Sequence, residues 1–272
     1  MTAADAEHLA AVESWRSERY DRLRGETSWL TLVGLGWLKP GVNTIGSASD
    51  ADVVLPRGPA LAGTATVDGV RATADGAFVH RGEPVRGLEL TSDAKGEPTM
   101  LSLGSLRLCL IDRGGRLAIR TWDVDAPARA SFEGIDHWPV DAAWRVTARF
   151  EPTPDRTIDV PDVFGSIDPE PSPGNVIFEA GGGEHRLQAL RGGDAGELWL
   201  IFGDATNGRE TYGGGRYLYT DGPDAGGSVQ VDFNRSYNPP CVFTPFATCA
   251  LPWPENRLPI RVEAGERRFS AH

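Results

Sequence analysis

The chain has 272 residues, of which 40% are hydrophobic, 33 are glycine and 20 are proline. This composition excludes a disordered or collagen-like chain, and the high content of glycine and proline favours many short strands over long helices. The 38 acidic and 27 basic side chains give a net charge of −11, which argues against nucleic-acid binding because contact with phosphates normally needs a basic excess.

The first predicted element is an amphipathic helix over residues 3–24. Leu9, Val12 and Leu23 follow the spacing that places side chains on one helix face, and Gly25 suits the helix end. We expect this helix to lie across one sheet, or across an opening between strands, with its charged face in solvent.

The expected compartment follows from the N-terminus, the apolar runs and the cysteines. Acidic and basic residues occur throughout the first 25 positions, so this segment does not have the apolar centre of a signal peptide. No run approaches the roughly 18 apolar residues of a membrane helix. The chain has three cysteines, Cys109, Cys241 and Cys249. We therefore expect a cytoplasmic protein with reduced thiols and no membrane partner.

After the helix, apolar residues alternate with polar ones or form short runs, which is typical of strands. Predicted strands before residue 123 lie within 29–38, 52–55, 65–67, 76–80, 87–91, 101–111 and 116–121. Later predicted strands cover 143–150, 176–180, 185–190, 197–202, 216–219, 228–233 and 258–263. Asp112–Gly115 and Gly181–Gly183 have the composition of hairpin turns.

The order of these elements predicts the fold class. No long helical pattern separates the strands, so parallel strands joined by helices are disfavoured. We expect a mainly β protein with antiparallel, sandwich-like or barrel-like sheets and an N-terminal α-helix. The predicted division is the helix (1–25), a sandwich-like subdomain (26–122) and a barrel-like subdomain with long polar and aromatic loops (123–272). Fusion of the last two into one domain is the alternative.

Two polar and aromatic segments, 204–217 and 232–257, carry the candidate binding residues. Prolines 239 and 240 predict a rigid loop, since proline fixes φ and lacks an N–H donor. Aromatic, Asn and Arg side chains together favour a single pocket for a small polar or amphipathic ligand. The predicted lining is Asp204, Tyr212, Arg216, Asn234, Arg235, Tyr237 and Asn256. The alternative is that these groups only connect loops through hydrogen bonds and ion pairs.

The second hypothesis is catalysis in the same pocket, as metal-independent hydrolysis or isomerisation. Cys241 is the candidate nucleophile and Asp204 a candidate catalytic carboxylate, with Arg235 beside the thiol to favour a thiolate. His137 or His185 would supply a base. The alternative for Cys241 is a buried structural thiol, which is common for cysteine. No Cys and His pattern completes a zinc site, and neither a metal nor another cofactor is predicted.

Four long blocks carry a resemblance to a known family. The segment 231–266, VDFNRSYNPPCVFTPFATCALPWPENRLPIRVEAGE, is similar to the C-terminal signature of a bacterial family, domain of unknown function 1684. Blocks 29–47, 115–152 and 202–219 resemble further parts of that family in the same order. The resemblance implies a chain without accessory modules, and it implies no activity. His137 departs from the family pattern, which counts against this residue as an essential base.

Residues 43–56, NTIGSASDADVVLP, resemble the start of a forkhead-associated domain, a β-sandwich that binds phosphothreonine. That family places an arginine after this glycine and a histidine further along the chain. Here Ser47 follows Gly46, and residues 57–70 contain no histidine, so the phosphate-binding donors are missing. The third hypothesis is therefore an interaction module over 29–122, with a protein partner that the sequence does not identify.

Overall fold

The computed structural model describes residues 2–193 and 196–269. The chain divides into two compact units, one formed by Arg22–Phe132 and one that joins Met1–Asp21 to Glu133–His272. The described helices are α1 (Ala3–Leu23) and a single turn, α2 (Pro127–Ala130). Neither of them is long and apolar enough to cross a membrane. Short 3₁₀ turns cover Asp93–Lys95, Ala142–Trp144, Phe233–Arg235, Pro240–Val242 and Pro254–Asn256.

The Arg22–Phe132 unit consists of two sheets around one core. Its strands are β1 (Leu32–Trp37), β2 (Gly41–Gly46), β3 (Val53–Val54), β4 (Gly63–Asp68), β5 (Arg71–Gly76), β6 (Val79–His80), β7 (Glu83–Pro84), β8 (Leu88–Leu90), β9 (Leu101–Leu103), β10 (Leu106–Arg113) and β11 (Arg116–Asp123). One sheet has the order β1-β11-β10-β9-β6-β7, and the other has the order β3-β2-β4-β5-β8. Ile45 and Ala65 from one sheet share a buried cluster with Leu108 and Ile119 from the other, as in a β-sandwich.

The unit that contains most of α1 is built on one antiparallel sheet. Its strands are β12 (Arg145–Pro161), β13 (Ile167–Ala180), β14 (Gly183–Arg191), β15 (Leu198–Phe202), β16 (Arg216–Thr220) and β17 (Ser228–Asp232). Their order is β16-β15-β14-β13-β12-β17, so β16 and β17 are the two edge strands. Side chains on the inner face, such as Val176, Leu200 and Val231, form the core of this unit.

This architecture confirms the predicted fold class, which is mainly β with antiparallel sheets and an N-terminal helix. The predicted strand over 258–263 was wrong. Leu258 donates its backbone N–H to the Gly203 carbonyl, and Leu258 and Val262 are buried, but the segment does not join a strand ladder. Its apolar residues fill the core from a loop. The division of the chain at residues 25 and 122 stays a prediction.

Candidate functional site

A cleft of about 520 Å³ lies between helix α1 and the edge strands β16 and β17. The strand order explains the gap, because β16 and β17 are at opposite ends of the sheet and do not pair with each other in a ladder. Tyr237, which follows β17, forms two backbone hydrogen bonds with Tyr217 of β16. The chain therefore bridges the two edges at this level, and the cleft lies beside the bridge.

One face of α1 lines the cleft. The helix residues in the lining are Ala4, Glu7, His8, Ala11 and Trp15, which share a face because positions three or four apart are neighbours on a helix. His8 Nε2 lies 2.8 Å from Asp232 Oδ2, and the Trp15 ring centre lies 6.4 Å from that of Tyr237. The helix therefore lies beside an opening between strands, which is one of the two placements that the sequence left open.

Asp232 is held from three directions. Its Oδ1 accepts hydrogen bonds from the backbone N–H of Asn234, at 3.1 Å, and from the side-chain amide of Asn234, at 2.9 Å. Its Oδ2 contacts His8, and Arg235 Nε lies 3.7 Å from the same oxygen. The carboxylate is thereby fixed, and it orients the His8 imidazole, because the partner of one ring nitrogen sets where the proton resides.

Three parallel aromatic rings form a row beside the cleft. The Tyr219 ring centre lies 5.9 Å from that of Trp199 and 6.2 Å from that of Tyr237, and the planes differ by 11° and 14°. Burial raises the pKa of Tyr219 and raises the pKa of Tyr237 well above its ordinary value. Both hydroxyls therefore stay neutral near pH 7, where they can exchange hydrogen bonds with a ligand without adding charge to the cleft.

Most charged residues of the cleft belong to two groups on different strands, and Glu7 of α1 adds a further carboxylate to the lining. Glu197 and Asp221, next to β15 and β16, form the acidic wall. Arg145 of β12 and Arg235, just after β17, form the basic wall. Within the described part of the chain, Arg145, Glu197 and Asp221 have no ion-pair partner, and Arg235 Nε has no hydrogen-bond partner. The two walls therefore face the cleft without neutralising each other.

The structure places two predicted site residues, Asp204 and Arg216, in a buried ion pair outside this lining. Both side chains are fully buried, and Asp204 Oδ2 lies 2.6 Å from Arg216 Nη2. Arg216 also donates to the carbonyl oxygens of Val262, at 2.7 Å, and Ala264. This pair fastens β16 to the C-terminal segment, and side chains without solvent access cannot meet a dissolved ligand in this conformation.

Asn234 and Asn256 are also fully buried, and each joins backbone segments. Asn234 accepts from the N–H of Asp141 and donates to its carbonyl, at 3.0 and 2.9 Å. Asn256 accepts from the N–H of Gln188 at 2.8 Å and donates to the carbonyls of Gln188 and Ile201 at 2.9 and 2.8 Å. These bonds satisfy backbone groups that would otherwise be buried without a partner.

The remaining predicted lining residues separate into two groups. Tyr212 lies in the turn before β16, where its ring packs against Gly214, and it is not part of the cleft lining. Arg235 and Tyr237 do line the cleft. The structure therefore brings two of the predicted residues to the candidate site, both from the short segment that follows β17.

The cysteines require a correction. Reduced thiols were expected, but Cys241 and Cys249 form a disulfide with their Cα atoms 6.2 Å apart. The 3₁₀ turn Pro240–Val242 begins the compact loop that brings residues eight positions apart together. A disulfide sulfur is not a thiolate, so Cys241 is no free nucleophile in this state. Cys109 is a free, buried cysteine, and burial raises the pKa of its thiol to about 12.

Sequence reasoning missed most of the cleft residues. His8, Arg145, Glu197 and Tyr219 come from four separate segments that only the fold brings together. One signal was available on the helix, because a histidine between small residues on one face is unusual for a helix that packs by apolar contact alone. The sequence places Asp232 two and three positions before Asn234 and Arg235, but it does not show how far its carboxylate lies from their side chains.

Comparison with known proteins places this β protein in a family. The chain belongs to the family described as protein of unknown function (DUF1684), whose sequence profile matches residues 130–267. That range contains the strands and both charged walls of the cleft, whereas α1 lies before it. It also begins after residues 43–56, so the resemblance of that segment to a forkhead-associated domain stays a prediction.

The chain shares sequence with a solved structure. It is the solution NMR structure of an uncharacterized protein of Haloarcula marismortui, which is 27% identical. The alignment covers 52% of this chain and 79% of that chain, with a TM-score of 0.43. No curated protein matches the chain. The comparisons therefore give a family and leave the activity to be inferred from the cleft.

Proposed function

We propose that this protein binds a small polar or amphipathic molecule in the cleft between α1 and the edge strands β16 and β17. The observation that carries the proposal is a cleft of about 520 Å³ whose charged residues Arg145, Glu197 and Asp221 have no ion-pair partner in the described chain. Its volume lies in the range of roughly 300–1,000 Å³ that is usual for small-molecule sites.

The surroundings of these groups favour binding over a purely structural role. Buried polar residues outside the cleft, such as Arg216 and Asn256, have several short hydrogen bonds within the protein. In the cleft, by contrast, acidic and basic groups stand beside neutral tyrosine hydroxyls and aromatic rings. Such a lining offers a ligand both polar partners and apolar area.

A matched pair of helix variants tests this proposal. Ala11 lines the cleft, whereas its neighbour Ala10 does not, and both are exposed. Ala11→Trp should fill the cleft, and Ala10→Trp should carry the same small loss of helix propensity without filling it. Both variants and the wild type are screened against a metabolite library by thermal shift.

We expect compounds that raise the melting temperature of the wild type and of Ala10→Trp and leave Ala11→Trp unchanged. Compounds that stabilise all three proteins equally bind elsewhere. If every stabilising compound behaves in that way, or if none stabilises the wild type, the proposal is wrong.

A second candidate is acid–base catalysis in the same cleft, as metal-independent hydrolysis or isomerisation. It is favoured by the largely buried pair of His8 and Asp232, with side-chain exposures of 5% and 12%, because a carboxylate that orients an imidazole is a common arrangement for a general base. Under this proposal, His8→Gln keeps the ligand bound and abolishes its turnover. Equal turnover by the wild type and His8→Gln would exclude this role for His8.

A further inference from the structure

The two walls of the cleft differ in charge because they belong to different parts of the sheet. The acidic wall, Glu197 and Asp221, follows the β15–β16 side, and the basic wall, Arg145 and Arg235, follows the β12–β17 side. Since β16 and β17 are the two edge strands, the walls face each other across a gap without strand pairing. The gap thus separates opposite charges.

Asp232 does not remove the positive charge of the basic wall. It stands opposite Arg145 in the β12–β17 register, but its Oδ2 is directed to His8 at 2.8 Å. Arg235 Nε is 3.7 Å from that oxygen, beyond a hydrogen bond. Even with Asp232 counted, this side of the cleft carries two guanidinium groups against one carboxylate, whereas the β15–β16 side carries carboxylates alone and Glu7 of α1 adds another carboxylate to the lining.

A ligand with a single charge is attracted by one wall of the cleft and repelled by the other, which carries a charge of the same sign as the ligand. An anion at Arg145 and Arg235 would face the acidic wall, and a cation at Glu197 and Asp221 would face the basic wall, and both arrangements are unfavourable. A molecule with one charge of each sign satisfies both walls at once. The neutral hydroxyl of Tyr219 belongs to a residue of the same lining.

Building on the proposed function, we infer that the ligand of this cleft is a zwitterion with an ammonium group and a carboxylate on a short chain. The ammonium group faces Glu197 and Asp221, where it can form charge-assisted hydrogen bonds. The carboxylate faces Arg145 and Arg235, whose planar guanidinium groups match its geometry. The hydrocarbon between the two charges lies along the aromatic row.

Isothermal titration calorimetry of the full chain tests this inference with simple probes. The zwitterions are glycine, γ-aminobutyrate and ε-aminocaproate, which differ in the separation of their charges. Hexylamine and caproate carry one charge each on a chain of the same length as ε-aminocaproate. We expect one zwitterion to bind about tenfold or more tightly than either singly charged probe.

Variants assign each charge to its wall. Arg145→Gln and Glu197→Gln should each weaken that zwitterion about tenfold, to the affinity of a singly charged probe. The matched controls are Arg156→Gln and Glu133→Gln, at exposed positions outside the cleft lining. They should leave the affinity unchanged.

Two outcomes overturn the inference. One is that hexylamine or caproate binds the wild type as tightly as the best zwitterion, and the other is that no zwitterion binds at about 10 mM. The proposed function is tested by a different experiment, in which compounds from the metabolite library that stabilise the wild type no longer stabilise Ala11→Trp. If a singly charged compound binds the wild type and no longer binds Ala11→Trp, the cleft is the binding site, but the inference that its ligand is a zwitterion is wrong.

Discussion

At the scale of single residues, the polar groups of this protein fall into a buried set and a cleft set. Arg216 is fully buried and has Asp204 and two backbone carbonyls as partners. Burial lowers the pKa of Arg216, and the neighbouring Asp204 carboxylate opposes that effect. Charges in such a position are costly to leave unpaired. The sequence shows these residue types but not their burial, which explains why buried and cleft residues were predicted together.

Removal of one partner of this pair should therefore destabilise the fold. Arg216→Met leaves the Asp204 carboxylate buried without its cation, and we expect a loss of roughly 3 to 5 kcal/mol in the free energy of unfolding. Urea denaturation measures this loss. Arg209→Met, at an exposed position, is the control and should change stability by less than about 0.5 kcal/mol. Equal urea midpoints for the two variants would show that the pair has no structural role.

The buried tyrosines predict an alkaline limit to stability. Burial raises the pKa of Tyr237 above its ordinary value of 10.0, so the unfolded chain releases this proton at a lower pH than the folded chain. Stability from this group is complete below about pH 10 and falls as the pH rises further, by at most about 1.4 kcal/mol per pH unit. Urea midpoints should fall less steeply above pH 10 in Tyr237→Phe than in the wild type. Parallel curves would contradict this account.

At the scale of elements, local patterns predicted hairpins well and long strands poorly. Gly114 and Gly115 have φ of +60° and +83°, and they join β10 to β11 with Arg113 paired to Arg116, as the turn signal predicted. Other elements depend on their neighbours in the sheet. The β12–β13 hairpin extends far beyond the predicted strands over 143–150 and 176–180.

Prolines caused this error. Pro169 and Pro171 lie in the outer half of β13, where the sequence indicates an interruption because proline cannot donate to a ladder. They pair in register with Asp159 and Thr157 of β12, whereas β14 pairs only with the inner half, residues 174–180. The outer half of β13 is therefore a sheet edge, where proline is tolerated.

The disulfide makes a prediction about the loop that follows β17. An intact-mass measurement of the purified protein should give a mass lower by two hydrogens than that of the reduced protein, and one thiol, Cys109, should react only after unfolding. Cys241→Ser should lower the free energy of unfolding by about 2 kcal/mol, because the bond restricts the unfolded chain. Three reactive thiols without reductant would contradict the disulfide.

At the scale of the whole molecule, the sequence predicts the fold class and a binding function but not the position of the cleft. Composition is a property of the whole sequence, and strand patterns involve residues that are close together in the chain, so both can be read from the sequence. The cleft combines α1 with residues of β12, β16 and β17. These segments meet because the strand order makes β16 and β17 the edges of one sheet, and strand order is not encoded in a local pattern.

The most direct test of the account is to map the ligand on the protein by NMR. Compounds that stabilise the wild type in the library screen are titrated into ¹⁵N-labelled protein, and backbone amide shifts are followed. We predict that the largest changes occur in residues 4–15, 219–221 and 230–237. The largest changes at 204–216, or anywhere within residues 22–132, would place the binding site elsewhere and contradict the assignment of the cleft.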